Sequence, residues 1–222
     1  MIVSVEGLKG SGKSTLVQKL HEEHGFPVAR KYTKDASPPS PFPLFIEEFK
    51  EKYGNSFKNI TSSLGLRYYA NFFGELERQE SASGASRNSI FDRGIVSLGY
   101  SGYYGYVNNK ETLPLPEYEA LLFELHREAL GQYSLHVKRT GQHTLFVMVD
   151  CVKDVVEQRI RARLYAIPSD TFLLEHYNQY VRLAEGLEDQ ARLLLRSPFV
   201  HVRSDMHGDG GVTLLSRPYT LL

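Results

Sequence analysis

One cysteine, Cys151, occurs in 222 residues, so no disulfide can form within the chain, and the composition suits a reducing compartment. Following an apolar run, Cys151 reads as a small buried side chain rather than a reactive thiol. Excess charge is missing too. The chain has 26 Lys and Arg against 26 Asp and Glu. That balance excludes strong non-specific attraction to a nucleic-acid backbone and leaves only a local basic patch. No apolar stretch reaches the ~20 residues of a membrane span, and no signal-like segment is expected before the first apolar run. Repeats at solenoid periods are absent, and the eight histidines read as scattered surface residues rather than as metal ligands. These absences leave the expectation of a soluble cytoplasmic protein, a single domain over residues 1–222. Its hydrophobic content of 41% is enough for a real core.

What is present begins at once. Ile2, Val3 and Val5 form a short β-branched run of the kind a buried strand takes. It leads into Gly7-Leu8-Lys9-Gly10-Ser11-Gly12-Lys13-Ser14-Thr15, which fits G-x-x-x-x-G-K-[ST]. From Lys13 the chain reads as a helix, with Leu16, Val17 and Leu20 on one face and Gly25 as its stop. A glycine-rich turn between strand and helix points successive N–H groups inward to cradle a polyphosphate, and the helix N-terminus adds partial positive charge. Gly7, Gly10, Ser11, Gly12, Lys13, Ser14 and Thr15 are therefore the candidate donor-binding residues. Lys13 offers a point charge to the β- and γ-phosphates, and Ser14 a hydroxyl to Mg²⁺. The bare pattern arises by chance in roughly one chain of this length in a hundred; the strand–loop–helix context removes most of that risk.

Strand and helix signals then alternate. Phe26–Tyr32 is a second strand expectation, followed by a proline-rich loop over residues 35–43. Leu44–Tyr53 and Asn59–Gln79 carry helical periodicity, the latter through Leu64, Tyr68, Phe72 and Leu76. Ser89–Asp92 reads as a short buried strand, Pro116–Leu130 as an amphipathic helix and Leu145–Asp150 as the clearest strand. Val152–Arg163 and Thr171–Leu195 read as helices and Phe199–Arg203 as a last strand. The segment from Ser204 has no assignment. Such alternation implies a parallel α/β sheet of about five strands, covered by helices on both faces as three layers.

Two further patterns carry chemistry. Asp92-Arg93 follows a strand directly, at the carboxyl edge where parallel-sheet enzymes place their sites. Asp92 is a candidate to hold Mg²⁺ or to orient an attacking hydroxyl. The planar fork of Arg93 suits a bidentate pair with an acceptor phosphate. Arg159, Arg161 and Arg163 end a helix, where cations are favourable anyway, but they also suit a lid over residues 159–170 that closes on a transferred phosphoryl group. Positions 159 and 163 share a helix face and Arg161 points elsewhere, which makes Lys13, Asp92, Arg93, Arg159 and Arg163 the candidate catalytic set.

Val5-Glu6-Gly7 before the loop, Asp92-Arg93-Gly94 with Ser97 and Tyr100 behind it, and Phe146–Asp150 leading to Arg159-Ile160-Arg161-Ala162-Arg163 together resemble the thymidylate kinase family. That family carries an E-G-x-D-G-x-G-K loop, a D-R-Y motif after its third strand and an R-x-R-x-R-like lid. The resemblance runs loosely to the Phe199–Arg203 region. It implies a P-loop nucleotide-kinase fold with Mg²⁺–ATP as donor and a nucleoside monophosphate, of pyrimidine type, as acceptor. Deoxynucleoside kinases share the same plan. Three positions depart from the family: Lys9 stands for an acidic residue near the sugar, Gly94 for the motif tyrosine, and Phe72 for an arginine near the acceptor phosphate.

For the acceptor, the aromatic residues Tyr68, Tyr69, Phe72, Phe73, Tyr100, Tyr103 and Tyr104 offer a face on which a pyrimidine can stack, although core packing is the common fate of such residues. Tyr68, Asn71, Phe72, Arg93 and Tyr100 are the candidate acceptor contacts. Two other readings stay open. One is a kinase of a nucleoside, or of a hydroxymethylated pyrimidine in DNA, in which nucleic acid enters only as a substrate. The other is an NTP-dependent switch without a small-molecule acceptor. A homodimer is left open.

Overall fold

In a computed structural model the described residues are 1–29, 51, 66–81, 88–99, 114–162, 168–204 and 212–215. β1 (Ile2–Glu6) is an interior strand, second from one edge of a five-stranded sheet. β2 (Ser89–Asp92) flanks it on one side and β3 (Thr144–Asp150) on the other, followed by β4 (Phe199–Ser204) and β5 (Val212–Leu215). β2, β1, β3 and β4 are parallel, and β5 runs antiparallel to β4. The sheet is thus of the expected α/β kind, but its fifth strand comes from the tail left unassigned above. Of the Phe26–Tyr32 strand, the described part is a parallel bridge from Val28 to Ile90, with Ala29 N–H donating to the Ile90 carbonyl at 2.8 Å. The expectations for residues 35–43, for all but Glu51 of Leu44–Tyr53, and for Tyr100, Tyr103, Tyr104 and Arg163 lie outside the described residues.

Strand alternation sorts the apolar residues between two cores. Val3, Val5, Val147, Val149 and Val202 meet Val17 of α1 (Lys13–His24) in an aliphatic layer. On the other face Ile2, Phe91, Phe146, Met148 and Phe199 meet three helices: α2 (Leu66–Ser81), α3 (Leu115–Thr140) and α6 (Tyr177–Leu195). This second core is aromatic. Phe146 and Phe199 stack at 4.5 Å between centroids, and the Arg192 guanidinium sits 4.2 Å over Phe199. Tyr69 and His126 form a buried polar pair at 3.1 Å, and burial drives the His126 imidazole down to about 3, so it stays neutral.

Two helices differ from expectation. α3 runs on past Leu130 to Thr140, because Tyr133 and His136 continue the buried stripe of Leu122, Leu125 and Ala129. Thr171–Leu195 is not one helix but two, α5 (Pro168–Glu175) and α6, parted at His176. The Tyr177 hydroxyl donates to the Cys151 carbonyl at 2.7 Å, which pins the start of α6 to the end of β3 and turns the chain there. α4 (Lys153–Arg161) ends two residues earlier than its sequence pattern suggests, with Ala162 as its C-cap. No described helix is long and apolar enough to cross a membrane.

Candidate functional site

The carboxyl ends of β1, β2 and β3 meet at the glycine-rich loop. Gly12 caps α1 with φ 100°, a left-handed conformation that L side chains rarely adopt. A Cβ there would lie 2.8 Å from Ser204 Oγ and 3.2 Å from Arg159 Nη1, so both side-chain ends would have to shift, whereas the torsion itself favours glycine. Ser11 N–H donates to the Leu8 carbonyl at 3.2 Å, closing the turn. The Lys13 side chain is 5% exposed and its Nζ donates across the loop to the Leu8 carbonyl at 2.6 Å. The ammonium therefore sits inside the cradle. Thr15 is exposed on the first turn of α1.

Ser14 Oγ donates to Asp92 Oδ2 at 2.7 Å, joining the loop to the end of β2. A hydroxyl and a carboxylate brought together at a strand edge are hard oxygen donors of the kind Mg²⁺ takes. Among the described residues no group of three or more His, Cys, Asp or Glu could hold a metal alone. The pair thus fits an ion that draws its other oxygens from phosphate and water. Arg93 is exposed with φ 76°, a strained backbone for a non-glycine residue, and its N–H donates to the Val5 carbonyl at 3.1 Å.

The lid arginines separate. Arg159 reaches the loop from α4: Nη1 donates to the Gly10 carbonyl at 3.1 Å and Nη2 to Ser204 Oγ at 2.9 Å. Cys151 Sγ lies 3.5 Å from Nη1, half-buried beneath this contact. Arg161 turns outward and pairs with Glu157 at 2.9 Å. Of the acceptor candidates, Tyr68 and Asn71 are half-buried on α2. Phe72 is placed otherwise than expected. At 1% exposure it packs in the aromatic core against Phe73, Phe91 and Tyr133, with centroids 5.1–5.7 Å away, and offers no face to a ligand. The helical period marks the stripe to which Phe72 belongs, and that stripe faces the sheet.

Glu6 was quoted above only as part of a motif, yet it is fully buried at the end of β1. It accepts from the Ser4 hydroxyl and from Ser97 N–H, both at 2.7 Å, and from Val96 N–H at 3.4 Å. Burial pushes its carboxyl above the ordinary range while those donors pull it down. The legible signal was a carboxylate and a hydroxyl alternating on the core face of a strand whose residues are all buried.

A cavity of about 900 Å³ lies against Gly7 and Leu8 and extends along β3 and β4 to α6. His201 on its wall holds Asp150 at 2.8 Å and Glu188 at 2.9 Å, and these partners raise the imidazole to about 9.

No protein-family model matches the chain, and no curated protein matches it in sequence. Solved structures do resemble it. Deoxyadenosine kinase from M. mycoides, with bound dATP, has a TM-score of 0.52 at 17% identity over 91% of each chain. The same enzyme with its products bound scores 0.50 at 17% identity, over 91% of this chain and 90% of that one. Polyphosphate kinase 2 from Arthrobacter aurescens TC1 scores 0.51 at 14% identity; 90% of this chain aligns with 59% of that longer one. At these identities the likeness establishes the architecture. The chain has the fold of the P-loop kinases.

Proposed function

We propose that the chain is a phosphotransferase that moves the γ-phosphoryl group of ATP to a pyrimidine-bearing nucleoside. The observation that carries this reading is the contact between Ser14 and Asp92 at 2.7 Å beside a glycine-rich loop that already encloses the Lys13 ammonium. Phosphoryl transfer asks little covalent help of a protein, so positioning and charge neutralisation are the work to be done. Backbone N–H groups of Gly10 to Thr15 would hold the polyphosphate, and Lys13 would move from the Leu8 carbonyl to its oxygens. Ser14 and Asp92 would hold Mg²⁺, which when bound supplies charge neutralisation at the transferring group. Arg159 keeps the Gly10 segment in shape through its carbonyl. Asp92, at the edge of β2, is also placed to orient the attacking hydroxyl.

The acceptor class follows from Phe72. At the position where the family resemblance expects an arginine near an acceptor phosphate, this chain has a ring sealed in the core. An acceptor without a phosphate needs no cation there, and the likeness in fold to deoxyadenosine kinase agrees. A nucleoside monophosphate is the second reading, favoured by Arg93, whose fork stands exposed at the same edge.

Labelled ATP with a panel of nucleosides, their monophosphates and DNA containing hydroxymethylated pyrimidine tests both. We expect the highest kcat/KM, within the ordinary 10⁴–10⁸ M⁻¹s⁻¹, with a nucleoside, and thymidylate to be a poor acceptor. A monophosphate as best acceptor replaces the first reading by the second. ATP hydrolysis stimulated by no acceptor removes both in favour of a switch.

A further inference from the structure

We infer that Glu6 is a positioning residue that sets the distance between Ser14 and Asp92 by fastening the turn after β2 to the strand before the nucleotide loop. This rests on the phosphotransferase reading of that pair. β1 is an interior strand and all its residues are buried, so a carboxylate on it is costly unless its oxygens are satisfied. Glu6 and Ser4 point to the face that holds Ile2, Phe91 and Phe146. Among the described residues the carboxylate pairs with no cation there. It takes the N–H groups of Val96 and Ser97, in the first turn of the helical segment over residues 95–99, where backbone donors lack intrahelical partners. Ser97 answers in the other direction: its Oγ accepts from Gly7 N–H at 3.3 Å. The two segments are therefore cross-tied, strand end to helix start and helix start to loop.

What lies between these ties is the Asp92–Gly94 turn. Its middle residue holds φ 76°, a conformation that persists only when its surroundings impose it. Gly94 rests on the Ser4–Glu6 pair so closely that a Cβ would come 1.7 Å from Ser4 Oγ and 2.5 Å from Glu6 Oε1. This accounts for glycine where the family resemblance expects tyrosine: the space is taken by the pair that anchors the turn. Asp92 enters the turn with its Oδ2 on Ser14. If the donors at residues 96 and 97 lose their acceptor, the turn loses what holds it in register with β1, and the hydroxyl and carboxylate need no longer meet.

The test is titration calorimetry of ATP with the full chain, in Mg²⁺ and in EDTA, for wild type, Glu6→Leu and Glu6→Gln. Glu6→Leu keeps the bulk and removes every acceptor. The gain in ATP affinity on adding Mg²⁺ should fall about 10- to 100-fold, as when an outer support of a metal site is lost. Affinity in EDTA, held by Lys13 and the loop amides, should stay. Glu6→Gln retains one oxygen for Ser97 N–H and should lose less, in the same direction. A folded Glu6→Leu with the wild-type gain overturns the assignment, because a residue that merely fills space would behave so. Should Glu6→Leu not fold, a Glu6→Gln protein with an undiminished gain overturns it equally. Wild type that binds no ATP overturns the functional reading itself, a result in which Glu6 plays no part.

Discussion

The glycine-rich loop meets the end of β2 through Ser14 and Asp92, the helix α2 meets β2 through Phe72 and Phe91, and the two relate to their sequences in opposite ways. The loop's geometry is local. Its glycines, its lysine and its hydroxyl lie within nine residues, and each occupies the place that the spacing demands. α2 shows a clear helical period, but which side of it meets ligand depends on β2, α3 and residues far along the chain. A motif built from backbone donors announces its chemistry, whereas a face built from side chains announces only that it is a face.

Lys13→Ala is the largest blow to the loop side of that comparison. It should lower kcat/KM by roughly 10² to 10⁴, the range seen when one preorganised electrostatic group is removed, with the circular dichroism of the native fold retained. Near wild-type ATP-dependent turnover in a folded variant would end the loop assignment. On the other side, Phe72→Ala should cost about 3–5 kcal/mol of stability in urea unfolding, as deletion of a core aromatic does, while the acceptor KM of the folded fraction stays as it was. A raised acceptor KM with unchanged stability would put Phe72 back in the site.

The third experiment concerns His201, which ties Asp150 of β3 and Glu188 of α6 to β4. Its imidazole is raised to about 9 in the fold, against about 6.5 in an unfolded chain. The folded state thus binds the proton more tightly. The stability that His201 contributes is complete below pH about 6.5 and disappears as pH rises through 9. Urea midpoints of wild type and His201→Asn, compared from pH 6 to 9.5, should converge at the alkaline end. A gap that is constant with pH would show that the imidazole binds its proton no more tightly in the fold than in the unfolded chain.

Smallest of all, Arg161→Ala should leave stability within about 0.5 kcal/mol, since its pair with Glu157 is exposed. The same change at Arg159 should reduce kcat/KM, because it frees the Gly10 carbonyl and Ser204. Equal effects at the two positions would dissolve the distinction between inward and outward lid arginines.

Much of the architecture was legible for reasons these contrasts make plain. β1, α1 and β3 carry dense local signals, and the alternation of strand with helix implies the parallel order. The antiparallel β5 was not legible because its partner is the far edge of β4, and nothing within four residues reveals an edge. The break at His176 depends on a hydroxyl of Tyr177 finding a carbonyl at Cys151, a contact the periodicity of α5 and α6 does not encode. The meeting of Ser14 with Asp92 was foreshadowed by their motifs, one after β1 and one after β2. For Glu6 only the alternation with Ser4 on β1 was readable; its ties to Val96 and Ser97 were not, since backbone N–H groups are the same in every sequence.

The position of β1 has a consequence for the way the chain comes together. β1 precedes both strands that flank it, and these begin only at Ser89 and Thr144. Until the second of these is synthesised, Val3 and Val5 have a neighbour on one side only, and the loop after them has no platform. Loop-closure entropy must be met before these distant pairings return anything, so assembly of the sheet is slow for the chain's length. The nascent chain therefore carries the apolar β1 with an unfilled edge until β3 has been made, the state in which aggregation competes with folding.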